Sequence, residues 1–371
     1  MRIACVHQGY ELYGSDRCFI ESVATIRKAF PRAEIEVVLP RPGLIVAALE
    51  PLVDRVSVEP VWVLRRRLLS QRLVLALVTL PLALTRAARR FAKSDLVYIN
   101  TSVVIDYQIV ARFFRRKALL HIHEIPTGVA RGLLRALAAW SGTQRIFNSR
   151  ATREAFAPLA GEVIYNGVHA PPPTPPVDFD GQRPLRLLLL GRFSQIKGQE
   201  VLIRALASMP AANRAQFRVR IVGGAFENPE LEMRLAEMIA ETDLSECVSI
   251  EPFVPCPWPL YGWADVVVVP SRLPESLGRV AIEAMAHGRP VLASSIGGLK
   301  EVVEDGRTGW FTPPDEPAVL AERLLEVLTN PTAISAMGAA GRARYEAVFS
   351  EQAAVKALGA LVERMAVRVT P

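Results

Sequence analysis

The sequence predicts an α/β protein that contains two Rossmann-like domains. The chain has 371 residues, half of them hydrophobic, which is long for one core and suits two. Short apolar runs alternate with helical patterns in both halves, as in parallel sheets covered by helices. Residues 169–183 contain five prolines and few apolar side chains, a composition typical of an interdomain linker. We therefore expect an N-terminal domain over residues 1–168 and a C-terminal domain over residues 184–349.

The cysteines and the start of the chain predict a cytoplasmic protein. The four cysteines show no CxxC spacing and no pairing with histidines, which argues against a zinc site and against a disulfide framework. Met1 leads directly into an apolar strand pattern, without the charged and apolar regions of a signal peptide.

The net charge of +7 is unevenly distributed. Residues 1–170 carry 24 basic and 13 acidic side chains, whereas residues 171–371 carry 20 and 24. A basic half predicts contact with an anionic surface, either nucleic acid or a membrane. The sequence contains no recognisable nucleic-acid motif, and its aromatic residues are not interleaved with basic ones. Nucleic acid is therefore not an expected partner.

The first domain begins with a strand, a glycine-containing loop and a helix. The strand is predicted over residues 2–7 and the helix over residues 18–30. Gly14 and Ser15 are predicted to lie in the loop, where a helix N-terminus can meet a phosphate or a sugar. The dinucleotide fingerprint G-x-G-x-x-G is absent, so a simple connecting loop is the alternative. Further strands are predicted over residues 35–39 and 56–58.

Residues 62–93 combine an apolar run with basic flanks. The run from Leu73 to Leu84 has about 12 residues and contains Pro81, whereas a membrane-spanning helix needs about 20. Two interpretations stay open: a buried helix with basic ends, or an interfacial segment that lies on an acidic lipid surface. The flanking basic residues are Arg65, Arg66, Arg67, Arg72, Arg86, Arg89, Arg90 and Lys93.

The strand predicted over residues 118–124 carries two histidines, His121 and His123. Strand alternation places both side chains on one face. No third metal ligand is visible nearby, so we do not expect a metal site, and one or both histidines can be structural. Strands are also predicted over residues 95–100 and 145–149, and helices over residues 107–114, 132–140 and 150–156, the last capped by Ser149.

The second domain opens with a strand, a loop that carries two cations, and a helix. Residues 185–190 form the predicted strand, and the helix continues to Leu206. The loop Gly191 to Gly198 contains Arg192 and Lys197. Backbone N–H groups at the helix end and two cations can share the charge of a diphosphate. A P-loop is excluded because G-x4-G-K-[ST] is absent, and two solvated cations are the alternative.

The next two strands also end in candidate ligand-binding positions. Residues 218–222 lead to Gly223 and Gly224, where glycine would let a nucleotide approach the backbone closely, although a plain turn is the alternative. The strand over residues 248–250 leads to Phe253 and Val254. Prolines at positions 255, 257 and 259 interrupt the start of the helix that follows.

A loop with two glutamates follows the buried strand predicted over residues 265–269. Glu275 lies in the loop, and Glu283 lies in the first turns of a helix from Gly278 to Gly288. Ligands bind at the carboxyl edge of open α/β sheets, so both carboxylates can face one small polar ligand. Capping and solvation are the alternative roles. The remaining elements are strands over residues 291–294 and 308–311, and helices after residue 294 and over residues 316–328 and 333–365.

The stretch from Pro270 to Pro290 resembles the E-x7-E signature of retaining glycosyltransferases of family 4. The resemblance includes Pro-Ser before Glu275, Glu-Ala-Met-Ala from Glu283 onward, and a closing Gly-x-Pro-Val. The Gly-Arg…Lys-Gly loop at residues 191–198 also resembles this family. The resemblance implies a GT-B fold, with two Rossmann-like domains facing across a cleft and a C-terminal helix, about residues 350–371, crossing back to the first domain.

The resemblance also implies roles for individual residues. Arg192 and Lys197 would neutralise the departing diphosphate, and Glu283 would accept hydrogen bonds from the ribose. Glu275 would hold the transferred sugar, and His123, with His121 as the second choice, would orient it. The other implied nucleotide-sugar-binding positions are Gly14, Ser15, Gly191, Gly223, Phe253, Val254, Ser276, Leu277 and Gly278.

The implied reaction transfers a sugar from a nucleoside diphosphate sugar to a hydroxyl of a glycan or lipid-linked acceptor, with retention at the anomeric carbon. No DxD motif stands where it could hold a metal, so we expect metal independence and no cofactor besides the donor. An anionic membrane surface is the other expected partner. We expect docking to the inner face of the membrane through residues 62–93, assisted by Arg112, Arg115, Arg116 and Lys117. The alternatives are a GT-B phosphorylase or epimerase and a non-catalytic nucleotide-sugar or lipid-binding protein.

Overall fold

The computed structural model describes residues 1–12, 14–64, 73–169, 171–172, 174–225 and 229–369. The chain divides into two compact units. The first comprises Met1–His169 together with Phe349–Pro371, and the second comprises Ala170–Val348.

The first unit is built on a seven-stranded parallel sheet with the strand order β3-β2-β1-β4-β5-β6-β7. The order reverses between β1 and β4, where Val6 pairs with Ile99. Ligands bind at such a switch point because the loops that leave the two neighbouring strands diverge. The strands are β1 (Arg2–Val6), β2 (Glu34–Leu39), β3 (Arg55–Val58), β4 (Leu96–Asn100), β5 (Ala118–Ile122), β6 (Gln144–Phe147) and β7 (Glu162–Val163).

Helices cover both faces of this sheet, which explains why β4 and β5 are buried along their whole length. One core contains Phe19 and Ile45 of the helices on one face, and another contains Phe91 and Leu134 of the helices on the other. The helices are α1 (Gly14–Ala29), α2 (Ile45–Leu49), α3 (Leu73–Lys93), α4 (Ile105–Ala111), α5 (Gly128–Ser141) and α6 (Arg150–Ala155). Ser149 caps α6 as predicted, because its side chain accepts a hydrogen bond from the Thr152 amide.

Gly14 and Ser15 were expected in a loop, but they form the first turn of α1. The helix can start this early because Asp16 places a carboxylate in its first turn, where it interacts favourably with the helix dipole.

The charge cluster at Arg65, Arg66, Arg67 and Arg72 lies outside the described residues. No helix in the described part of the chain is both long and apolar enough to cross a membrane.

The second unit contains a six-stranded parallel sheet with the order β10-β9-β8-β11-β12-β13. Its switch point lies between β8 and β11, where Leu187 pairs with Val266. The strands are β8 (Leu185–Leu190), β9 (Phe217–Gly223), β10 (Val248–Pro252), β11 (Val266–Val269), β12 (Val291–Ser294) and β13 (Gly309–Thr312). The helices are α7 (Gln199–Ala207), α8 (Ala211–Arg214), α9 (Pro229–Glu241), α10 (Trp258–Trp263), α11 (Arg279–Ala286), α12 (Leu299–Val302), α13 (Pro317–Leu328) and α14 (Pro331–Arg344).

The chain returns to the first unit at its C-terminus. Within the helical pattern predicted over residues 333–365, α14 passes into a π-helical turn, Tyr345–Phe349. A new helix, α15 (Glu351–Val369), follows, close to the C-terminal helix predicted at about residues 350–371. The break occurs where the amide of Val168 bonds to the carbonyl of Phe349 at 2.9 Å. α15 then packs on α1 and buries Leu358 and Leu361 in the core of the first unit. The predicted crossing of the last helix is thereby confirmed.

Candidate active site

Two loops meet at the switch point of the second sheet. One follows β8 and runs from Gly191 to Gly198, and the other follows β11 and runs from Pro270 to Gly278. They are neighbours because β8 and β11 are paired, and both leave the carboxyl edge of the sheet. The amide of Arg272 donates to the carbonyl of Ile196 at 2.8 Å, which joins the two loops directly.

An ion pair links the cationic loop to the first glutamate. Nζ of Lys197 lies 2.8 Å from Oε2 of Glu275. The other carboxylate oxygen of Glu275 accepts a hydrogen bond from the hydroxyl of Ser271, which is fully buried. The Glu275 side chain is only 10% exposed and that of Lys197 is 24% exposed. Both carboxylate oxygens are thus held before any ligand binds.

The ion pair decides the charge state of Glu275. Burial alone would raise the pKa of Glu275, but the charge of Lys197 and hydrogen bonds from Lys197 and Ser271 lower it below the ordinary value. Glu275 is therefore an anion at neutral pH. It can accept hydrogen bonds from sugar hydroxyls, and it is not a proton donor.

Glycines allow the close approach of the loops. Gly198 has φ +71°, and a Cβ there would lie 1.9 Å from the carbonyl oxygen of Pro270. The amide of Gly298 donates to the carbonyl of Glu275 at 2.8 Å. A Cβ on Gly297 would lie 2.5 Å from that same oxygen. Backbone contacts on both sides therefore fix the position of Glu275.

Arg192 differs from Lys197 in its surroundings. Its side chain is exposed, and it forms no ion pair with any described residue. The backbone carbonyl of Arg192 accepts a hydrogen bond from Nε2 of the Gln199 side chain at 3.2 Å. The backbone of Arg192 is therefore held in place while its guanidinium stays exposed to solvent. Gly191, the preceding residue, has φ +145°.

Gly223 has a structural reason to be glycine. A Cβ at Gly223 would lie 2.0 Å from the carbonyl oxygen of Gly191. The approach of a nucleotide to Gly223 stays a prediction from the sequence, and the backbone of Gly191 is a second group that requires glycine here. Gly223 therefore supports the position of the Gly191–Gly198 loop.

Glu283 is oriented by two side chains. Nε of Arg279 donates to Oε1 at 2.6 Å, one helical turn away in α11. The hydroxyl of Tyr261 donates to Oε2 at 2.7 Å, and Tyr261 is fully buried and stacked on His287. Sequence analysis missed Tyr261, because it lies 22 positions before Glu283 in a helix interrupted by prolines.

The remaining positions predicted on the second unit lie in its loops and at the start of α11. Phe253 is 44% exposed, directly after β10, and Val254 is half-buried. Leu277 is buried, Ser276 is half-buried, and Gly278 caps α11 with φ +87°. The loops that carry these positions leave the carboxyl edge of the sheet.

His123 belongs to a polar network at the carboxyl edge of the first sheet. Its Nε2 lies 2.8 Å from Oδ1 of Asn100, the last residue of β4. Nδ2 of Asn100 lies 2.9 Å from Nδ1 of His7, and Nε2 of His7 lies 2.8 Å from Oδ1 of Asp16. The network spans the switch point between β1 and β4. Sequence analysis missed His7, Asn100 and Asp16, although His7 directly follows the first strand.

The two predicted histidines share one face of the sheet. The ring centroids of His121 and His123 are 3.9 Å apart. Nδ1 of His121 lies 2.5 Å from the hydroxyl of Tyr98, beneath the network. Burial lowers the pKa of His123 to about 3 and lowers that of His121 well below its ordinary value, so both rings are neutral. Within the described ranges, no group of three or more histidine, cysteine or carboxylate side chains could hold a metal ion.

Glu124 ties two loops of this edge together. Its Oε2 accepts from the amide of Ser102 at 3.2 Å, from its hydroxyl at 3.0 Å and from the His123 amide at 3.3 Å. Thr101, the residue before Ser102, has φ +88°, which is strained for a β-branched side chain. Glu124 thus positions the backbone next to His123.

Comparison with known proteins supports the assignment of the second unit. Residues 180–344 match the model of the family described as glycosyl transferases group 1. The D-inositol 3-phosphate glycosyltransferase of Thermobispora bispora is 37% identical over 175 residues, which are 44% of this chain and 39% of the relative. The protein of the same description from Thermobifida fusca is 38% identical over 166 residues, 42% of this chain and 37% of the relative. The chain thus matches about four tenths of the length of these relatives.

Solved structures match nearly the whole chain. Anabaena Alr3699/HepE in complex with UDP-glucose is 26% identical with a TM-score of 0.81, over 98% of this chain and 100% of that chain. Sucrose-phosphate synthase of Thermosynechococcus elongatus is 22% identical with a TM-score of 0.75, over 98% and 99% of the two chains, and shows a shared fold.

Two parallel sheets, the returning C-terminal helix and these structural likenesses define a protein of the GT-B fold. Residues 180–344 of the second unit match the group 1 glycosyl transferase family model, and the whole chain has the fold of the GT-B glycosyltransferases. The resemblance inferred from residues 191–198 and 270–290 is confirmed at this level.

Proposed function

We propose that the protein is a retaining glycosyltransferase that transfers a sugar from a nucleoside diphosphate sugar to an acceptor hydroxyl, without a metal ion. The observation that carries this proposal is the Lys197–Glu275 ion pair beside the exposed Arg192. It places two cations and an oriented carboxylate at one switch point, which matches a diphosphate next to a sugar.

Each charged group has a defined task in this proposal. Arg192 and Lys197 stabilise the charge that develops on the departing diphosphate. Glu275 accepts hydrogen bonds from the transferred sugar, and Glu283 accepts them from the ribose. The half-buried, neutral His123 hydrogen-bonds and orients the sugar without taking up a proton.

Uridine diphosphate is the first nucleotide to test, because Alr3699/HepE has been solved with UDP-glucose. A thermal-shift panel would compare UDP, GDP and ADP and their sugars, since a ligand that binds only the native state raises its stability. We expect one nucleotide to raise the melting temperature in wild type and to have a smaller effect in Arg192→Ala.

A turnover experiment separates the proposal from its alternatives. Release of nucleoside diphosphate that requires an added acceptor supports transfer. Formation of a sugar phosphate from inorganic phosphate would indicate a phosphorylase, a changed sugar on an intact nucleotide would indicate an epimerase, and binding without turnover would indicate a non-catalytic protein.

The acceptor is proposed to be a glycan or lipid-linked precursor, reached at an anionic membrane surface from the cytoplasm. The support is the basic character of residues 1–170. The contribution of Arg65, Arg66, Arg67 and Arg72 to membrane binding remains a prediction from the sequence.

A further inference from the structure

An apolar stripe lies along the outer face of α5. Val129 is 91% exposed, Leu133 49% and Trp140 46%, and Ala136 is also exposed. Spacings of four, three and four residues place these side chains on one helical face. Leu134 and Ala138, on the opposite face, are buried in the core of the first unit. The stripe is therefore a coherent surface that the core does not use.

Basic and aromatic residues extend the stripe at its C-terminal end. Phe113, in the turn after α4, is 78% exposed. The guanidinium of its neighbour Arg112 lies 5.9 Å from the centre of the Trp140 ring and donates to the Trp140 carbonyl at 3.3 Å. Arg115 and Arg116 are exposed beside it, and with Arg145 they line an open depression of about 410 Å³.

This surface is positively charged. Between Arg112 and Arg145 the sequence has seven basic residues and one acidic residue, Glu124. The carboxylate of Glu124 is turned inward to Ser102 and to the amide of His123. None of Arg112, Arg115 and Arg116 forms an ion pair with a carboxylate of the described residues. An apolar stripe with tryptophan and phenylalanine, edged by arginines, is complementary to an anionic bilayer interface.

We propose that α5 and Phe113 form the surface by which the first unit docks on an anionic membrane, with the apolar stripe entering the headgroup region and Arg112, Arg115 and Arg116 binding lipid phosphates. Sequence alone placed the contact at residues 62–93, assisted by Arg112, Arg115, Arg116 and Lys117. The structure adds the apolar stripe of α5 and Phe113 beside those arginines. Single exposed apolar side chains are ordinary. Four on one helix face, beside arginines that form no ion pair with a described carboxylate, supply both signals that reversible anchoring needs.

This surface would also serve the proposed function. The membrane docking itself does not depend on that function; only the link between the surface and the acceptor does. α5 begins five residues after His123, at the carboxyl edge of the sheet. A helix of this length extends about 21 Å toward the opposite edge. A bilayer in contact with α5 would therefore bring lipid-linked acceptors to the edge that carries His123.

Vesicle co-sedimentation of the full chain tests the proposal without any substrate. We expect wild type to bind phosphatidylcholine vesicles that contain phosphatidylglycerol, and to bind pure phosphatidylcholine vesicles much less. Val129→Ser combined with Trp140→Ser should lower binding about tenfold or more. The matched control is Met233→Ser, which removes an apolar side chain that is 62% exposed on α9 of the second unit.

Charge reversal at Arg112 and Arg116 should also abolish binding at low salt. Each variant is checked for an unchanged melting temperature and for the UDP-induced shift, so that a folding defect or a failure of the proposed function is seen separately. The proposal would be overturned if Val129→Ser combined with Trp140→Ser bound acidic vesicles as strongly as Met233→Ser does. Loss of binding only when Arg65→Glu, Arg66→Glu and Arg67→Glu are combined would also overturn it. The same holds if wild type is a dimer that Val129→Ser combined with Trp140→Ser dissociates, because the stripe would then be a contact between two copies of the chain.

Discussion

Lys197 and Glu275 are 78 positions apart in the chain, yet each holds the other in place. Glu275 is nearly buried, and its ionisation depends on the positive charge beside it. Arg192 lies in the same loop but is exposed and makes no ion pair among the described residues. The two cations that sequence analysis treated as equivalent therefore differ in their effect on stability.

Substitution of each cation should separate catalysis from stability. Arg192→Ala and Lys197→Ala should each reduce turnover about 100-fold, because each removes one strong electrostatic group. Only Lys197→Ala should also destabilise the fold, by about 3 kcal/mol, because it leaves the buried Glu275 carboxylate without its partner. Turnover assays and denaturant unfolding measure the two effects. An equal loss of stability in both variants would contradict the assigned geometry.

The two glutamates should separate donor binding from transfer. Glu283→Ala should weaken binding of the free nucleoside diphosphate, because its oxygens are oriented by Arg279 and Tyr261 for ribose hydroxyls. Glu275→Ala should leave that affinity nearly intact and impair sugar transfer. Calorimetry with the diphosphate provides the comparison, and Glu326→Ala on α13 is an exposed control. Equal affinity losses at both sites would show that the roles are misassigned.

At the level of elements, paired strands bring the active loops together. β8 and β11 are neighbours in the sheet, and the turn at Gly198 allows the first loop to rest on the carbonyl of Pro270. The first unit repeats this arrangement, because β1, β4 and β5 bring His7, Asn100 and His123 to one edge. The switch point thus organises polar groups in both sheets.

Two glycines with the same backbone angle test the loop contact. Gly198 and Gly306 both have φ +71°, but a Cβ on Gly198 would clash with Pro270, whereas nothing lies within 4 Å of a Cβ on Gly306. Gly306→Ala should cost about 1 kcal/mol for the left-handed backbone alone. Gly198→Ala should cost more and also reduce turnover, since the Lys197–Glu275 pair must shift. Thermal unfolding and activity measure both; equal costs without an activity change would argue against the contact.

At the level of the whole molecule, the first unit contains three histidines that stay neutral. His7 and His121 are buried, and His123 is half-buried. Burial lowers the pKa of His7, His121 and His123. An unfolded chain protonates these rings as the pH falls below 6.5, the ordinary value. The unfolded state then binds more protons than the native state, so native stability falls with decreasing pH.

The resulting prediction is acid destabilisation that begins near neutrality. Stability should be complete above about pH 6.5 and should fall toward about pH 3, by at most about 1.4 kcal/mol per pH unit for each histidine. Unfolding midpoints at about pH 7.5 and pH 5.5 measure the slope. His121→Gln should reduce the slope, whereas His169→Gln, whose side chain is 67% exposed, should not. A slope that is unchanged by His121→Gln would contradict the prediction.

The sequence by itself determined the α/β class, the order of most strands and helices, and the loops that carry Arg192, Lys197, Glu275 and Glu283. It could do so because strands, helices and these motifs are each encoded in a few consecutive residues. It also indicated the returning last helix and the approximate residue at which that helix begins.

Only the tertiary structure decided which distant groups meet. Strand order joins β8 to β11 and β1 to β4, and this pairing creates the Lys197–Glu275 ion pair and the network around His123. Tertiary packing also decided that Gly223 accommodates the backbone of Gly191, and that one face of α5 stays exposed while the other enters the core. These features depend on contacts between segments far apart in the chain, and local periodicity carries no information about such contacts.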